Sequence, residues 1–112
     1  MGDRGNICME EAEGKKIYFY THWDGSELFT ILKNALIKGK LRWDDEPYLA
    51  RIIFCELVKK DDGITGYGIS TGVCDNEHPI FVVNSDKQVV SIEETNKNWT
   101  FEDFIQLEAD PR

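Results

Sequence analysis

Three side chains able to bind a ligand or move a proton stand together at residues 22–24. His22, Trp23 and Asp24 close an aromatic run typical of a strand and come just before an amphipathic helix pattern. Such a junction offers free backbone N–H groups and the positive end of the helix dipole, so it suits an anion or a catalytic group. In the structural alternative, Trp23 is buried, His22 is structural and Asp24 caps the helix.

A second group of candidate binding residues lies at Arg42, Trp43, Asp44 and Asp45. The guanidinium of Arg42 would suit a phosphate or carboxylate, and the indole of Trp43 could stack on a ring. In the alternative, this segment is a helix cap in which Trp43 closes the core and Arg42 pairs with an acid.

Two charges interrupt an otherwise apolar helix predicted for residues 47–58. They are costly there unless each finds a partner. Glu56 projects toward the same side as the core residue Leu49, so it meets a buried cation or faces a cavity. The planar fork of Arg51 fits a carboxylate or a phosphate. A structural ion pair is favoured over a ligand site.

We expect these groups to gather in one cleft, because the loop that enters the second helix returns toward the end of the first strand. Two indoles would then sandwich a ring while two guanidiniums neutralise phosphate or carboxylate. The predicted ligand-binding residues are His22, Trp23, Arg42, Trp43, Arg51 and Tyr67.

No catalytic residue, metal site or cofactor is predicted. The sequence has no P-loop, no dinucleotide-binding glycine motif, no nucleophile elbow and no HExxH motif. Residues 75–78 (DNEH) contain metal-type ligands but are predicted as a turn, because no second histidine lies at a metal-binding spacing. Cys8, Cys55 and Cys74 also lack such a spacing, and Cys55 is expected inside the buried helix.

The elements that would position these groups follow from hydrophobic periodicity. We predict an internal strand at 17–23, a helix from residue 28 to near Gly39, a helix at 47–58 and a strand at 66–73. A hairpin at 80–83 and 88–92 and a short helix after Thr100 complete the pattern. The order β-α-α-β-β-β-α indicates an α+β fold, with a mostly antiparallel four-stranded sheet and two main helices packed on it. Residues 1–15 are predicted to be a flexible N-terminal arm, and 16–112 a single domain.

Composition limits the partners. The chain has 112 residues and a net charge of −8, from 21 acids and 13 bases. Because non-specific nucleic-acid binding depends on lysine and arginine neutralising phosphates, it is not expected, and neither is an anionic membrane. With no signal peptide and no apolar run near the length of a membrane span, we expect a cytoplasmic protein. Its aromatic content and short sheet favour a homo-oligomer, most simply a two-fold dimer.

Three segments, HWDGSELFTILKNAL, RWDDEPYLARIIFCELV and TGYGISTGVCDNEHPIFVV, together resemble a set of small phage and bacterial proteins with no assigned activity. The resemblance covers roughly residues 17–92. It transfers no functional residue, and it implies only a phage or bacterial setting, hence a bacterial host cytoplasm.

Three functions remain open at this point. The first is a non-enzymatic binder of a small anionic or nucleotide-like ligand, in that setting a phage anti-defence protein that sequesters a host immune signal. The alternative is an acidic protein–protein inhibitor or immunity-type partner, which the net charge of −8 would suit. The third is a small hydrolase-like enzyme, for which no nucleophile–base pair is recognisable.

Overall fold

The computed structural model describes residues 2–59, 61 and 63–112. It is an α+β fold with one six-stranded sheet. The helices and strands are, in chain order, β1 (Gly5–Glu10), β2 (Lys16–Thr21), α1 (Leu28–Lys38), α2 (Glu46–Val58), β3 (Tyr67–Ser70), β4 (Phe81–Asn84), β5 (Val89–Ile92), β6 (Asn98–Thr100) and α3 (Phe101–Phe104). Short 3-10 turns at Gly25–Glu27 and Lys40–Arg42 lead into α1 and follow it.

The sheet has the strand order β3-β2-β1-β4-β5-β6. All neighbouring strands are antiparallel except β1 and β4, which run parallel with Ile7 opposite Phe81. The predicted four-stranded sheet is therefore too small, because β1 and β6 were not foreseen. Strand β2 is internal, as predicted, since it lies between β3 and β1.

The prediction of a flexible arm at residues 1–15 is wrong for β1, which is a central strand of the sheet. Ile7, Cys8 and Met9 are almost completely buried, although they point alternately to opposite faces. A strand buried on both faces needs only a short apolar run, and here the glycines and acids around it obscured that run. Its turn into β2 is closed by Glu11, whose carboxylate accepts from the amides of Glu13 and Lys15.

The two main helices form as predicted. Helix α1 buries Leu28, Leu32 and Leu36 at helical spacing and ends at Gly39, whose amide donates to the carbonyl of Ala35. Helix α2 begins with a proline in its first turn, where a missing N–H costs nothing. Ile53 is fully buried, as expected from the apolar run of α2.

One side of the sheet packs against all three helices and forms the main core. A smaller core on the opposite side of the sheet consists of Cys8, Tyr18, Ile80 and Val82. Gly68 of β3 points to this second side, as its partner Tyr20 does. A Cβ added at Gly68 or Gly72 would meet no described atom within 4 Å, so no described element packs closely against these two glycines.

Helix α3 has the predicted cap, since the hydroxyl of Thr100 accepts from the amide of Asp103. Phe101 and Phe104 turn into the core. Within the described part of the chain, no helix has both the length and the apolar character that a membrane span requires.

Candidate anion-binding groove

One face of α2 combines positive charge with an open apolar surface. Tyr48, Arg51, Ile52, Cys55 and Lys59 recur at intervals of three and four residues, so they lie in one stripe along the helix. Tyr48, Arg51 and Cys55 are exposed and Ile52 is half-buried. The expectation that Cys55 lies inside a buried helix is therefore wrong, because α2 exposes this stripe.

Two further cations approach the stripe from outside α2. Lys38 comes from the last turn of α1, and Arg42 from the 3-10 turn that connects the two helices. Together they form what we call the basic groove, a concavity of about 400 Å³. It is lined by four cationic side chains, one carboxylate and an apolar remainder: Lys38, Arg42, Tyr48, Arg51, Ile52, Cys55, Glu56 and Lys59.

Arg42 is held at the rim of the groove by two contacts. Its guanidinium carbon lies 4.5 Å from the centroid of the Tyr48 ring. Its Nη1 is 3.6 Å from the Asp45 carboxylate. A cation placed over a phenol face is attracted by the negative π surface. Half of the side chain stays exposed, so the guanidinium keeps donors for a ligand.

Glu56 is the buried carboxylate at the base of the groove. Its Oε1 accepts from Lys38 Nζ at 2.7 Å and its Oε2 from Lys59 Nζ at 3.2 Å. The hydrogen bond from Lys38 lowers the pKa of Glu56 below its ordinary value, and the Lys59 contact adds to this against the opposing effect of burial. The predicted structural ion pair is confirmed for Glu56. Each ammonium has three donors, so both lysines can still bind an anion.

Unlike the other three cations of the groove, Arg51 has no carboxylate partner among the described residues. The predicted ion pair therefore does not extend to Arg51 in this part of the chain. Its exposed guanidinium lines the groove between Tyr48 and Cys55. Of the groove cations, it is therefore the one whose donors are not shared with a carboxylate of the described residues.

The six residues predicted to form one cleft do not meet. Arg42 and Arg51 both line the basic groove. Trp43 is only 8% exposed and packs edge-on against Phe101, with ring centroids 5.4 Å apart. Its indole Nε1 donates to the carbonyl of Leu36 at 2.9 Å. The expected sandwich of a ligand between two indoles is therefore wrong, because the indole of Trp43 is packed in the core.

His22, Trp23 and Tyr67 form a separate aromatic cluster at the end of β2. Trp23 meets the rings of His22 and Tyr67 edge-on. Its indole also lies against the backbone of Gly66, where an added Cβ would come within 2.0 Å of the ring. Trp23 therefore packs over the start of β3, half-exposed, and does not line the basic groove.

Asp24 and Tyr67 belong to a second concavity, on the other side of Glu56 and Lys59. The Tyr67 hydroxyl donates to the Asp24 carboxylate at 2.7 Å. Burial, together with this hydrogen bond, raises the pKa of Tyr67 to about 12. The concavity has a volume of about 740 Å³, and carboxylates dominate its charged residues: Asp24, Glu27, Glu56, Lys59 and Asp61. We call it the acidic concavity.

A serine, an aspartate and a histidine also meet, at a place where sequence reasoning expected a flexible arm. Asp3 accepts from both the hydroxyl and the amide of Ser26 through Oδ2, and its Oδ1 lies 2.5 Å from Nε2 of His78. In a hydrolytic triad the histidine stands between serine and aspartate. Here the aspartate occupies that place, so the Ser26 hydroxyl is hydrogen-bonded to a carboxylate and not to an imidazole.

The loop at residues 75–78 contacts the same N-terminal region of the chain. Arg4 pairs with Asp75 at 2.6 Å and with Glu77 at 3.3 Å, and Asn6 donates to the carbonyl of Asp75. These contacts attach the loop to the start of β1. Among the described residues, no cluster of three or more potential metal ligands is present.

Two of the groove residues, Arg42 and Arg51, belong to the predicted ligand-binding set, and the others do not. The helical stripe from Tyr48 to Lys59 is visible in the sequence, but its apolar residues predict a buried surface. The approach of Lys38 depends on how α1 packs on α2, which periodicity does not define. Comparisons of the chain with protein-family models, with curated proteins and with solved structures gave no match.

Proposed function

We propose that this protein binds a small anionic ligand, without chemical change, in the basic groove. The observation behind the proposal is the convergence of four cationic side chains on one partly apolar concavity, in a chain whose net charge is −8. Since the chain has an excess of acids, such a concentration of positive charge is not explained by its overall composition.

The groove offers complementary contacts to an anion that also carries a ring. Arg42 and Arg51 can each form two parallel hydrogen bonds with a phosphate or carboxylate. Ile52 and the edge of Tyr48 supply apolar surface between them. A volume of about 400 Å³ falls within the range of roughly 300–1,000 Å³ that small-ligand pockets occupy. A nucleotide combines these features in one molecule.

The biological form of the proposal follows from the resemblance to phage and bacterial proteins. In that setting the ligand is a nucleotide-like immune signal of the host cell, and the protein acts by sequestering it. This role requires binding alone.

Calorimetric titration of the full chain with adenosine diphosphate, adenosine monophosphate and adenosine tests the proposal. We expect affinity to rise with phosphate charge and to fall with added salt. The variant Arg51→Ala removes the guanidinium that has no described carboxylate partner, and loses about 1.5–3 kcal/mol of charge-assisted hydrogen bonding, roughly a tenfold to hundredfold affinity.

Lys97→Ala is the matched control, because it removes an equal charge from an exposed position outside the groove. Equal binding of adenosine and its phosphates would contradict the proposal. So would an Arg51→Ala variant that binds as tightly as the unmodified chain.

The acidic concavity favours a second candidate function, that of an acidic partner for a basic protein surface. Glu27 and Asp61 are exposed at this concavity. If this function holds, a lysine-rich peptide binds the chain, and the double variant Glu27→Gln/Asp61→Asn weakens that binding. Glu13→Gln/Glu108→Gln changes the net charge equally at exposed positions elsewhere, so an equal loss in both variants would indicate a non-specific charge effect.

A further inference from the structure

Strand β3 lies at one edge of the sheet, and its outer backbone groups are open. The amide of His22 donates to the carbonyl of Gly66, which continues the antiparallel register of β2 and β3. In such a ladder, hydrogen-bonded pairs alternate with pairs that exchange no hydrogen bond. Gly68 and Ser70 therefore bond to β2, whereas Tyr67 and Ile69 direct their N–H and C=O groups away from it.

The opposite side of β2 supports this assignment. The amide of Glu11 donates to the carbonyl of Lys15, which extends the register of β1 and β2. Odd-numbered residues of β2 thus bond to β1, and even-numbered ones bond to β3. The backbone groups of Ile69 have no partner among the described residues.

The segment around this edge has an unusual composition. Residues 63–74 contain no lysine, arginine, aspartate, glutamate or proline, in a chain that is 30% charged. Exposed edge strands are commonly protected from pairing by charges, prolines or bulges. Here the exposed apolar side chains are Ile64, Ile69 and Val73. The edge has none of the usual sequence features that prevent another strand from adding to it.

We propose that β3 pairs antiparallel with β3 of a second copy, about a two-fold axis at Ile69, to give a twelve-stranded sheet across a dimer. Ile69 then lies opposite Ile69 of the other copy, and Tyr67 lies opposite Thr71. On the other face, Gly68 lies opposite Ser70. In this register Ile69 meets an identical apolar side chain and the large Tyr67 meets the smaller Thr71, so the segment is complementary to itself.

The local lack of charge permits a second copy to approach this edge. Two chains of net charge −8 repel each other wherever acidic surfaces meet, and the uncharged stretch 63–74 lets them approach without placing like charges together. The contact also leaves the basic groove open, because β3 contributes no residue to it. Pairing of one short strand buries less than the roughly 1,200–2,000 Å² of a standard interface, so the dimer is weak and depends on concentration.

Sedimentation velocity of the full chain over a concentration series tests the proposal. We expect the mass to rise from 12.9 kDa toward twice that value. Ile69→Lys places two ammonium groups across the two-fold axis and is expected to keep the chain monomeric. Leu41→Lys adds the same charge at a residue that is 94% exposed, in the turn after α1 and outside the stretch 63–74, and leaves the dimer intact.

A cysteine experiment gives a readout that does not depend on the lysine variants folding. In a Cys55→Ser/Cys74→Ser background, Ile69→Cys places two sulfurs across the axis, at a Cα separation of about 5.5 Å that permits a disulfide. Val73→Cys is equally accessible but lies away from the axis. Oxidation is expected to cross-link the first variant and not the second. A monomer at all concentrations, a dimer insensitive to Ile69→Lys, or equal cross-linking at both positions would overturn the proposal.

Discussion

The guanidinium of Arg42 rests on the ring of Tyr48, with 4.5 Å between the guanidinium carbon and the ring centroid. The two residues come from different elements, since Arg42 ends the turn after α1 and Tyr48 lies in the first turns of α2. The contact therefore holds a flexible cationic side chain in place before any ligand arrives. Restricting a side chain in advance lowers the entropy lost on binding.

Tyr48→Leu is expected to weaken binding of adenosine diphosphate even though no charge is removed. Losing a cation–π contact at an exposed site costs about 0.5–1 kcal/mol, or roughly twofold to fivefold in affinity. Tyr48→Phe keeps the ring and should bind as the unmodified chain does. Calorimetric titration measures both, and equal losses in the two variants would show that the hydroxyl rather than the ring is responsible.

Ile53→Ala is expected to lower the free energy of unfolding by about 2–4 kcal/mol, because Ile53 is fully buried in the core and truncation leaves a cavity. Urea titration followed by circular dichroism measures the change. Ile64→Ala serves as the control, since Ile64 is fully exposed and its truncation should stay within about 0.5 kcal/mol. A cost below about 1 kcal/mol at Ile53 would contradict the central position of α2.

Glu56→Gln is expected to destabilise the fold at neutral pH by about 1–3 kcal/mol, because two ammonium groups lose their carboxylate. The pKa of Glu56 is lowered by folding, so its contribution is present above the ordinary value of 4.5 and is lost as the pH falls through the folded value. The stability difference between the variant and the unmodified chain should therefore shrink in acid. A difference that stays constant from neutral pH to acid would show that the charge of Glu56 is not its cause.

Asp3→Asn tests the attachment of the N-terminal residues. Hydrogen bonds from Ser26, followed by the contact with His78, lower the pKa of Asp3 from 3.8 to about 2. Its contribution is therefore complete above pH 3.8 and disappears as the pH falls through about 2. At neutral pH we expect the variant to have a lower melting temperature than the unmodified chain. This difference in melting temperature should be smaller near pH 2, where Asp3 becomes protonated. Asp44→Asn, at an exposed position, should leave the melting temperature unchanged at both.

The parts of the fold that sequence reasoning predicted are those encoded locally. The spacing of Leu28, Leu32 and Leu36 defines α1 without reference to the rest of the chain, and Thr100 caps α3 through residues within one turn. Strand β1 was not predicted, because pairing with two neighbouring strands stabilises it rather than a pattern in its own sequence. Ile7 pairs with Phe19 on one side and with Phe81 on the other, and only the second of these is far along the chain.

The site was predicted less well, for the same physical reason. Whether an indole is a binding surface or a core residue depends on what packs against it. Phe101, from the far end of the chain, covers Trp43, whereas Trp23 lies against Gly66 and two neighbouring rings and stays half-exposed. The charges of Arg42 and Arg51 were identified from their residue type, but their grouping with Lys38 and Lys59 follows from the packing of α1 on α2.

The parallel pairing of β1 with β4 has a consequence for how the chain reaches this structure. During synthesis, β1 and β2 are made before β4 and can form their hairpin at once. The other edge of β1 stays unpaired until Phe81–Asn84 has been made, because β4 is its neighbour there. Contacts between distant parts of a chain slow folding, since a long loop must close before they form. The nascent protein therefore presents an open central strand until β4 has been made, and chaperone binding to residues 5–10 would protect it during that interval.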